Sequence, residues 1–197
     1  MQRCAILLPA AGASRRMRGA DKLLQEVQGH PILRVIAERA LQASAHVAVT
    51  LPPEAQGRAQ ALDGLALTRL IVPDAAEGMA ASLRKGAGWA MRLPVQVLMI
   101  VLPDMPEITS DDIKRLIQAQ SAHPGEPLRA CDADQHPGHP TLLPRALLPE
   151  LLKLSGDTGA RALLARHPPR LYPLPGRRAV QDLDTPEAWE AWRAQRP

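Results

Sequence analysis

A chain of 197 residues with 46% hydrophobic content can fill one sizeable core and is too short for two comfortable domains, so residues 1–197 read as a single domain. Aromatic content is 2%, with no Phe, one Tyr and three Trp, which argues against a base-stacking surface for single-stranded nucleic acid. Lys plus Arg number 24 against 20 Asp plus Glu, and the net charge of +4, without a sustained basic face, suits a small anionic ligand and not a nucleic acid.

Cys4–Leu8 predicts an apolar strand that runs into a turn of small residues, Pro9-Ala10-Ala11-Gly12-Ala13-Ser14. Four cations, Arg15, Arg16, Arg18 and Lys22, follow within eight positions. Small residues let backbone N–H groups approach an anion, and Arg and Lys supply the countercharge of a polyphosphate. A phosphate-binding loop is therefore expected, although it has neither the Gly-Lys-Ser/Thr ending of a P-loop nor a G-x-G-x-x-G; the rival reading is a solvated basic turn.

Leu23–Val27 reads as a short extended segment, and Pro31 as the N1 residue of a helix reaching about Ala43, with Ile32, Val35, Ile36, Ala40 and Leu41 on one face. A strand at His46–Thr50, a helix at Glu54–Leu62, a strand at Arg69–Val72 and a helix at Ala80–Met91 follow, with an acidic turn over Pro73–Met79. Val95–Leu102 is nearly continuous in apolar residues, as a parallel strand covered on both faces requires. Thr109 or Ser110 caps a helix to about Gln120, and Leu128–Cys131 is a short strand. Asp132–Pro140, rich in Pro, Gly and His, reads as an exposed loop. Short helices at Ala146–Leu154 and Ala160–Arg166, weak strands at Arg170–Leu174 and Arg177–Val180, and a terminal helix capped by Thr185 with Pro186 at N1 complete the chain. Trp189 and Trp192, three apart, are expected to dock that last helix, and Arg177-Arg178 to be solvated surface. Strands alternating with helices predict a three-layer α/β domain with a mainly parallel sheet.

In such a sheet the ligand crevice lies beyond the carboxyl ends of the strands, which brings Gly12–Lys22 and Asp104 to one side. Opposite a phosphate loop, Asp104 suits a Mg2+ ion, which is held by one or two carboxylates and completed by substrate phosphates. In an extended Asp182-Leu183-Asp184 both carboxylates share a face, so that one binds metal and the other competes with Thr185 to cap the last helix; Asp182 is the preferred metal ligand. Cys131, Asp132, Asp134, His136 and His139 are crowded, but their spacing matches no closed zinc pattern. Cys4 and Cys131 make no disulfide framework, and no stretch approaches the ~18 apolar residues of a membrane span, so a cytoplasmic protein is expected.

Leu8–Met17 with Gly19 and Asp21-Lys22-Leu23-Leu24, then Gly78-Met79, Ser82-Leu83, Gly86, Asp104-Met105-Pro106, Gly138-His139-Pro140, Gly156–Arg161 and Asp182–Pro186, taken in this order, resemble the nucleotidyltransferases that complete the molybdenum cofactor, in particular the cytidylyltransferase branch. The resemblance covers nearly the whole chain and implies a Rossmann-like nucleotidyltransferase fold. It implies Mg2+-dependent transfer of CMP from CTP to the terminal phosphate of molybdopterin, with release of pyrophosphate. It further implies that Ala10, Ala11, Gly12, Ala13, Ser14, Arg16, Lys22, Gly78 and Ser82 meet the nucleotide. Arg15, Arg16, Lys22 and Asp104 then carry the catalysis, with Asp104 and Asp182 or Asp184 on the metal and Gly138, His139, Asp157 and Arg161 on the acceptor side. Ala10-Ala11-Gly12 favours CTP, since guanylyltransferase relatives tend to carry Ala-Gly-Gly there. Pro9, Arg18 and Pro103 depart from the family pattern, and Pro103 restrains Leu102 just before the metal carboxylate. Guanylyl transfer, another small phosphate acceptor, and a non-catalytic maturation partner of a xanthine dehydrogenase-type molybdoenzyme are the alternatives.

Overall fold

The computed structural model describes residues 4–156 and 159–195. Its strands are β1 (Cys4–Pro9), β2 (Glu26–Val27), β3 (His30–Pro31), β4 (His46–Leu51), β5 (Thr68–Ile71), β6 (Val97–Ile100), β7 (Leu128–Cys131), β8 (Pro137–Pro144) and β9 (Arg170–Pro173). The helices are α1 (Ile32–Leu41), α2 (Gln56–Ala61), α3 (Met79–Ala90), α4 (Ser110–Ser121), α5 (Leu148–Leu151), α6 (Arg161–Arg166) and α7 (Pro186–Ala194). Seven strands form one sheet in the order β5-β4-β1-β6-β8-β7-β9, and β2 and β3 make a separate two-residue ladder.

Every residue of β1 is buried, because β1 lies between β4 and β6, parallel to both, with helices over each face. Its side chains alternate accordingly. Ile6 and Leu8 pack with α1, α4 and α7 through Ile36, Ile113, Leu116 and Trp189, while Ala5 and Leu7 pack with α3, α5 and α6 through Leu83, Ala87, Leu148 and Leu163. Gly86 permits the close approach of α3 to the sheet: a Cβ there would lie 2.2 Å from Leu7 Cδ2. This is a three-layer mixed α/β fold, and its mainly parallel sheet is as the sequence pattern implies.

Several readings change: Leu23 and Leu24 lie in a 3-10 turn, so only Glu26–Val27 of the Leu23–Val27 segment is a strand, and Pro31 stands just before the first residue of α1 and not at N1. Residues 137–144, the first four of which lie in the supposed exposed loop, form β8, the one antiparallel strand of the sheet, with Ile100 opposite Thr141 and Leu128 opposite Leu142. Its prolines and glycine disguise it locally, but burial between β6 and β7 outweighs their low strand propensity. Arg177–Val180 is a turn instead of a strand. That turn sends Arg178 to the buried Asp112 carboxylate at 3.1 Å, so Arg178 is not simply solvated. Thr109 is the cap of α4, in a capping box with Asp112.

The last helix docks as expected. Trp189 and Trp192 are buried in an edge-to-face pair with centroids 5.9 Å apart. Trp189 Nε1 donates to the Leu183 carbonyl at 3.1 Å, and Leu183 N donates to the Asp104 carbonyl at 3.0 Å. These two bonds tie the Asp182–Asp184 segment to the end of the most buried strand.

Candidate active site

β1 and β6 end side by side, and the segments that leave them border a cleft of about 790 Å³ through Ala11–Arg16, Asp21 and Lys22 and through Leu102–Asp104. Gly12, Ala13, Ser14, Arg15 and Arg16 line one wall together with Ala11 and Lys22; Gly78 and the buried Ser82 line a second; Asp104, Asp182 and Asp184 form the floor. Ala10 lies behind the wall, its N–H donating to the Thr50 carbonyl at 3.1 Å, so it anchors the loop to β4.

Asp104, Asp182 and Asp184 offer ligand atoms that lie within 4.8 Å of one another. Leu183 points into the core at 1% exposure, which turns its two neighbours to the opposite face. Neither aspartate caps α7: Thr185 takes that position, accepting from Ala188 N at 3.2 Å. The Lys22 ammonium bridges Asp104 and Asp184, and Arg16 pairs with Asp184 from the solvent side. Burial by itself lowers the Lys22 pKa, but the two carboxylates outweigh it and hold the ammonium above its usual value. Burial raises Asp182, and Asp184 and Asp104 push it further in the same direction. Asp184 is held low despite its burial, because Lys22 and Arg16 face it.

An all-oxygen donor set of this kind suits a hard divalent cation. Asp104 Oδ1 is buried and has no hydrogen-bond partner among the described residues, and the like charge of Asp182 beside Asp184 is relieved by a cation. The residues therefore fit Mg2+ or a cation like it. Asp132, Asp134 and His136 also gather within 4.8 Å, but on an exposed loop where His136 Nδ1 meets Asp132 at 3.0 Å, and neither Cys131 nor His139 joins them.

Arg58 is a cleft residue that sequence reasoning missed. It reaches the loop from α2 and is 5% exposed. Nε and Nη2 fork onto Asp21 at 2.6 and 2.9 Å, Nη1 donates to the carbonyls of Ala10 and Gly12 at 2.6 and 2.8 Å, and Nη2 also donates to Ser14 Oγ at 3.1 Å. Burial alone would raise the Asp21 carboxyl, and the Arg58 guanidinium outweighs it, so that Asp21 stays below its usual value. Its α2 setting, Gln56-Gly57-Arg58, gives no local sign of this role.

A second cavity of about 230 Å³ adjoins the cleft through Met79 and Leu102, and it is lined by Arg129, His139, Thr141, Gly159 and Arg161 among apolar side chains. His139 Nδ1 and Thr141 Oγ1 are buried there without hydrogen-bond partners among the described residues. Burial and the neighbouring Arg129 charge lower the His139 pKa to about 4, against a weaker opposing hydrogen bond to the Ile100 backbone. Gly138 does not line this cavity. A Cβ on it would lie 1.7 Å from the Ala179 carbonyl oxygen, so the glycine admits the 177–180 turn against β8. Arg129 and Thr141 join the set that sequence analysis placed on the acceptor side; Asp157 lies outside the described residues.

His139 gives a stability test. Its folded-state pKa of about 4 lies below the ordinary 6.5, so between those values the unfolded chain binds the extra proton and stability falls as pH falls, by about 1.4 kcal/mol per unit at most. Denaturant titrations at pH 7 and pH 5 are expected to show a loss that His139→Gln reduces; an equal loss in both proteins would mean that His139 titrates normally.

Among the described residues no helix is long and apolar enough to cross a membrane. A family model described as MobA-like NTP transferase domain matches residues 5–171. A probable molybdenum cofactor guanylyltransferase of Natronomonas pharaonis is 30% identical over 120 residues, which are 59% of this chain and 57% of that protein, so the chain spans little more than half the length of this curated relative. A solved homologue of Rv0371c from Mycobacterium sp. strain JC1 superposes with a TM-score of 0.84 at 26% identity over 99% of this chain and 98% of that one. Rv0371c of Mycobacterium tuberculosis H37Rv, solved in complex with manganese, superposes with a TM-score of 0.77 at 25% identity over 97% of each chain. With the family model spanning the loop, Asp104 and all but the two ends of the seven-stranded sheet's sequence, the chain belongs to the MobA-like NTP transferase family of nucleotidyltransferases.

Proposed function

We propose that this chain is one nucleotidyltransferase unit that transfers a nucleoside monophosphate from a metal-bound NTP to a small phosphate-bearing acceptor of the molybdopterin kind. The observation that carries the reading is the meeting of a small-residue cationic loop with three carboxylates across one cleft at the ends of β1 and β6. Support for the metal comes from the fit of the carboxylates and from the manganese complex of the mycobacterial relative.

The acceptor phosphate is already an anion at neutral pH, so it needs little general-base help. Its oxygen forms the new bond to the α-phosphorus while the bond from that phosphorus to the β-phosphate oxygen breaks, and pyrophosphate carries away the electron pair. The electrostatic problem is to bring two anions together and then stabilise the charge that leaves. Asp104, Asp182 and Asp184 would hold a divalent cation, which would supply Lewis-acid polarisation of the phosphoryl group. Ala11–Ser14 position the triphosphate, Gly78 and Ser82 meet the nucleoside, and Arg15, Arg16 and Lys22 neutralise the departing pyrophosphate. His139 and Arg161, now with Arg129 and Thr141, hold the acceptor in the adjoining cavity. His139 is neutral there and acts by hydrogen bonding and not by charge.

For the base, Ala10-Ala11-Gly12 favours CTP. The guanylyltransferase relative favours GTP as the second reading. Pyrophosphate release with molybdopterin, or a sugar or polyol phosphate, as acceptor and CTP, GTP or ATP as donor, in separate reactions, tests base and acceptor together. Turnover with CTP alone supports the first reading, turnover with GTP alone the second. Turnover only with a sugar or polyol phosphate removes the molybdopterin acceptor, and no release with any nucleotide from folded protein overturns the transferase reading in favour of a maturation partner. Arg16→Ala, whose side chain is 69% exposed at the mouth of the cleft, is expected to raise the NTP requirement about tenfold with little effect on the melting temperature. An unchanged requirement would remove Arg16 from the triphosphate site.

A further inference from the structure

Arg58 lines the cleft, carries a positive charge and is the obvious candidate for one more phosphate ligand. Its hydrogen bonds say otherwise. A guanidinium has five N–H donors, and Arg58 makes five donor contacts with the loop: two to Asp21, two to backbone carbonyls and one to Ser14 Oγ. None remains for a ligand. Its charge, likewise, is met by the Asp21 carboxylate at 2.6 Å.

The contacts fall on the part of the loop that most needs them. Ser14 has φ +50° and Arg18 φ +53°, a left-handed conformation that costs a non-glycine residue of order 1 kcal/mol and persists only where surroundings over-determine it. Ser14 Oγ is held from three sides: it accepts from Arg58 at 3.1 Å and from the Lys22 backbone N–H at 3.4 Å, and it donates to Asp21 at 3.2 Å. Arg58 also fixes the carbonyls of Ala10 and Gly12, on either side of Ala11. One buried side chain from α2 thus sets the path of the loop at residues 10, 12, 14 and 21.

We infer that Arg58 is a positioning residue that locks the 10–21 loop, through Asp21, Ser14 and the carbonyls of Ala10 and Gly12, into its triphosphate-binding form before the nucleotide arrives. The inference rests on the nucleotidyltransferase reading for its ligand, but the clamp itself exists without one. Preorganisation of this kind lowers the ordering cost of binding and leaves acceptor contacts untouched. Lysine cannot replace the fork, because a single ammonium has three donors and no planar geometry.

The test uses the full chain and the variants Arg58→Lys and Arg58→Ala. Amide hydrogen exchange of the ligand-free protein reads the clamp, and titration with Mg2+ and CTP or GTP reads the ligand role. Both variants are expected to exchange at least tenfold faster across residues 10–21, with protection of β6 and α4 retained. Both are expected to need about tenfold more NTP while the acceptor KM stays within twofold. Guanidinium ion at millimolar concentration should restore NTP use in Arg58→Ala by re-entering the vacated space, an effect that a mere packing defect would not show. Unchanged exchange across 10–21 in both variants would overturn the clamp. Faster exchange with unaltered nucleotide affinity would leave a structural staple and overturn the positioning role. If the wild type binds neither CTP nor GTP, the nucleotide reading fails and the positioning role fails with it, and the exchange data separately show whether Arg58 holds the loop. Should Arg58→Ala fail to fold, Arg58→Lys decides, since it keeps the charge and most of the volume.

Discussion

Asp104→Asn is expected to lower pyrophosphate release by about a hundredfold or more while the protein still folds, the loss typical of removing a metal-supported electrostatic interaction. Asp104 is 5% exposed, and one of its oxygens meets Lys22 while the other has no partner among the described residues. Asn keeps the shape but loses the charge and one acceptor oxygen. Folding survives because the backbone links of this segment do not involve the side chain: the Asp104 carbonyl still accepts from Leu183 N at 3.0 Å, and Arg39 still donates to the carbonyls of Pro106 and Ile108 at 2.6 and 2.8 Å. Steady-state turnover at saturating Mg2+, with a thermal melt as control, is the measurement. Turnover within threefold of wild type would take Asp104 out of the mechanism.

Lys22→Met is expected to have the second largest effect, and in two opposite directions. Its ammonium sits between Asp104 and Asp184, and the mutual stabilisation is visible in a lysine pKa that stays above normal despite burial. A divalent cation arriving without nucleotide must compete with that ammonium for the same carboxylates. Removing it should therefore tighten Mn2+ binding to the nucleotide-free protein about tenfold, read by the loss of free-ion electron paramagnetic resonance signal. Pyrophosphate release should meanwhile fall by at least tenfold, because the triphosphate loses a cation. Mn2+ binding that is unchanged or weaker in the variant would show that Lys22 does not compete with the metal.

Much of this protein is legible in order along the chain because the signals are local. The apolar runs at Cys4–Leu8 and Val95–Leu102, the second broken only by Gln96, identify strands covered on both faces, and they become β1 and β6 at the centre of the sheet. Thr185 and Pro186 start α7 where capping chemistry says they must. The alternation of Asp182, Leu183 and Asp184 needs only an extended backbone to put two carboxylates on one face, and the buried Leu183 holds them there. The small-residue turn followed by arginines is likewise a contiguous pattern, and its position after β1 places it at the cleft.

What the sequence left undecided depends on residues far apart in the chain. β8 hides behind Pro137, Gly138, Pro140 and Pro144, whose local preferences argue for a loop until β6 and β7 bury the segment from both sides. Arg178, next to a residue that is solvated, turns onto Asp112, which is 66 positions away. Arg129 and Thr141 meet His139 and Arg161 around a cavity only because β7, β8 and α6 are neighbours in the folded sheet. Arg58 stands 37 to 48 positions from the groups it binds, and nothing in its own helix marks it. Sequence alone determined most of the elements and picked out the small-residue cationic loop and the paired carboxylates, since each rests on spacing between near neighbours. Only the tertiary structure decided which distant charges face one another, because a pairing between remote segments is set by how whole helices and strands pack.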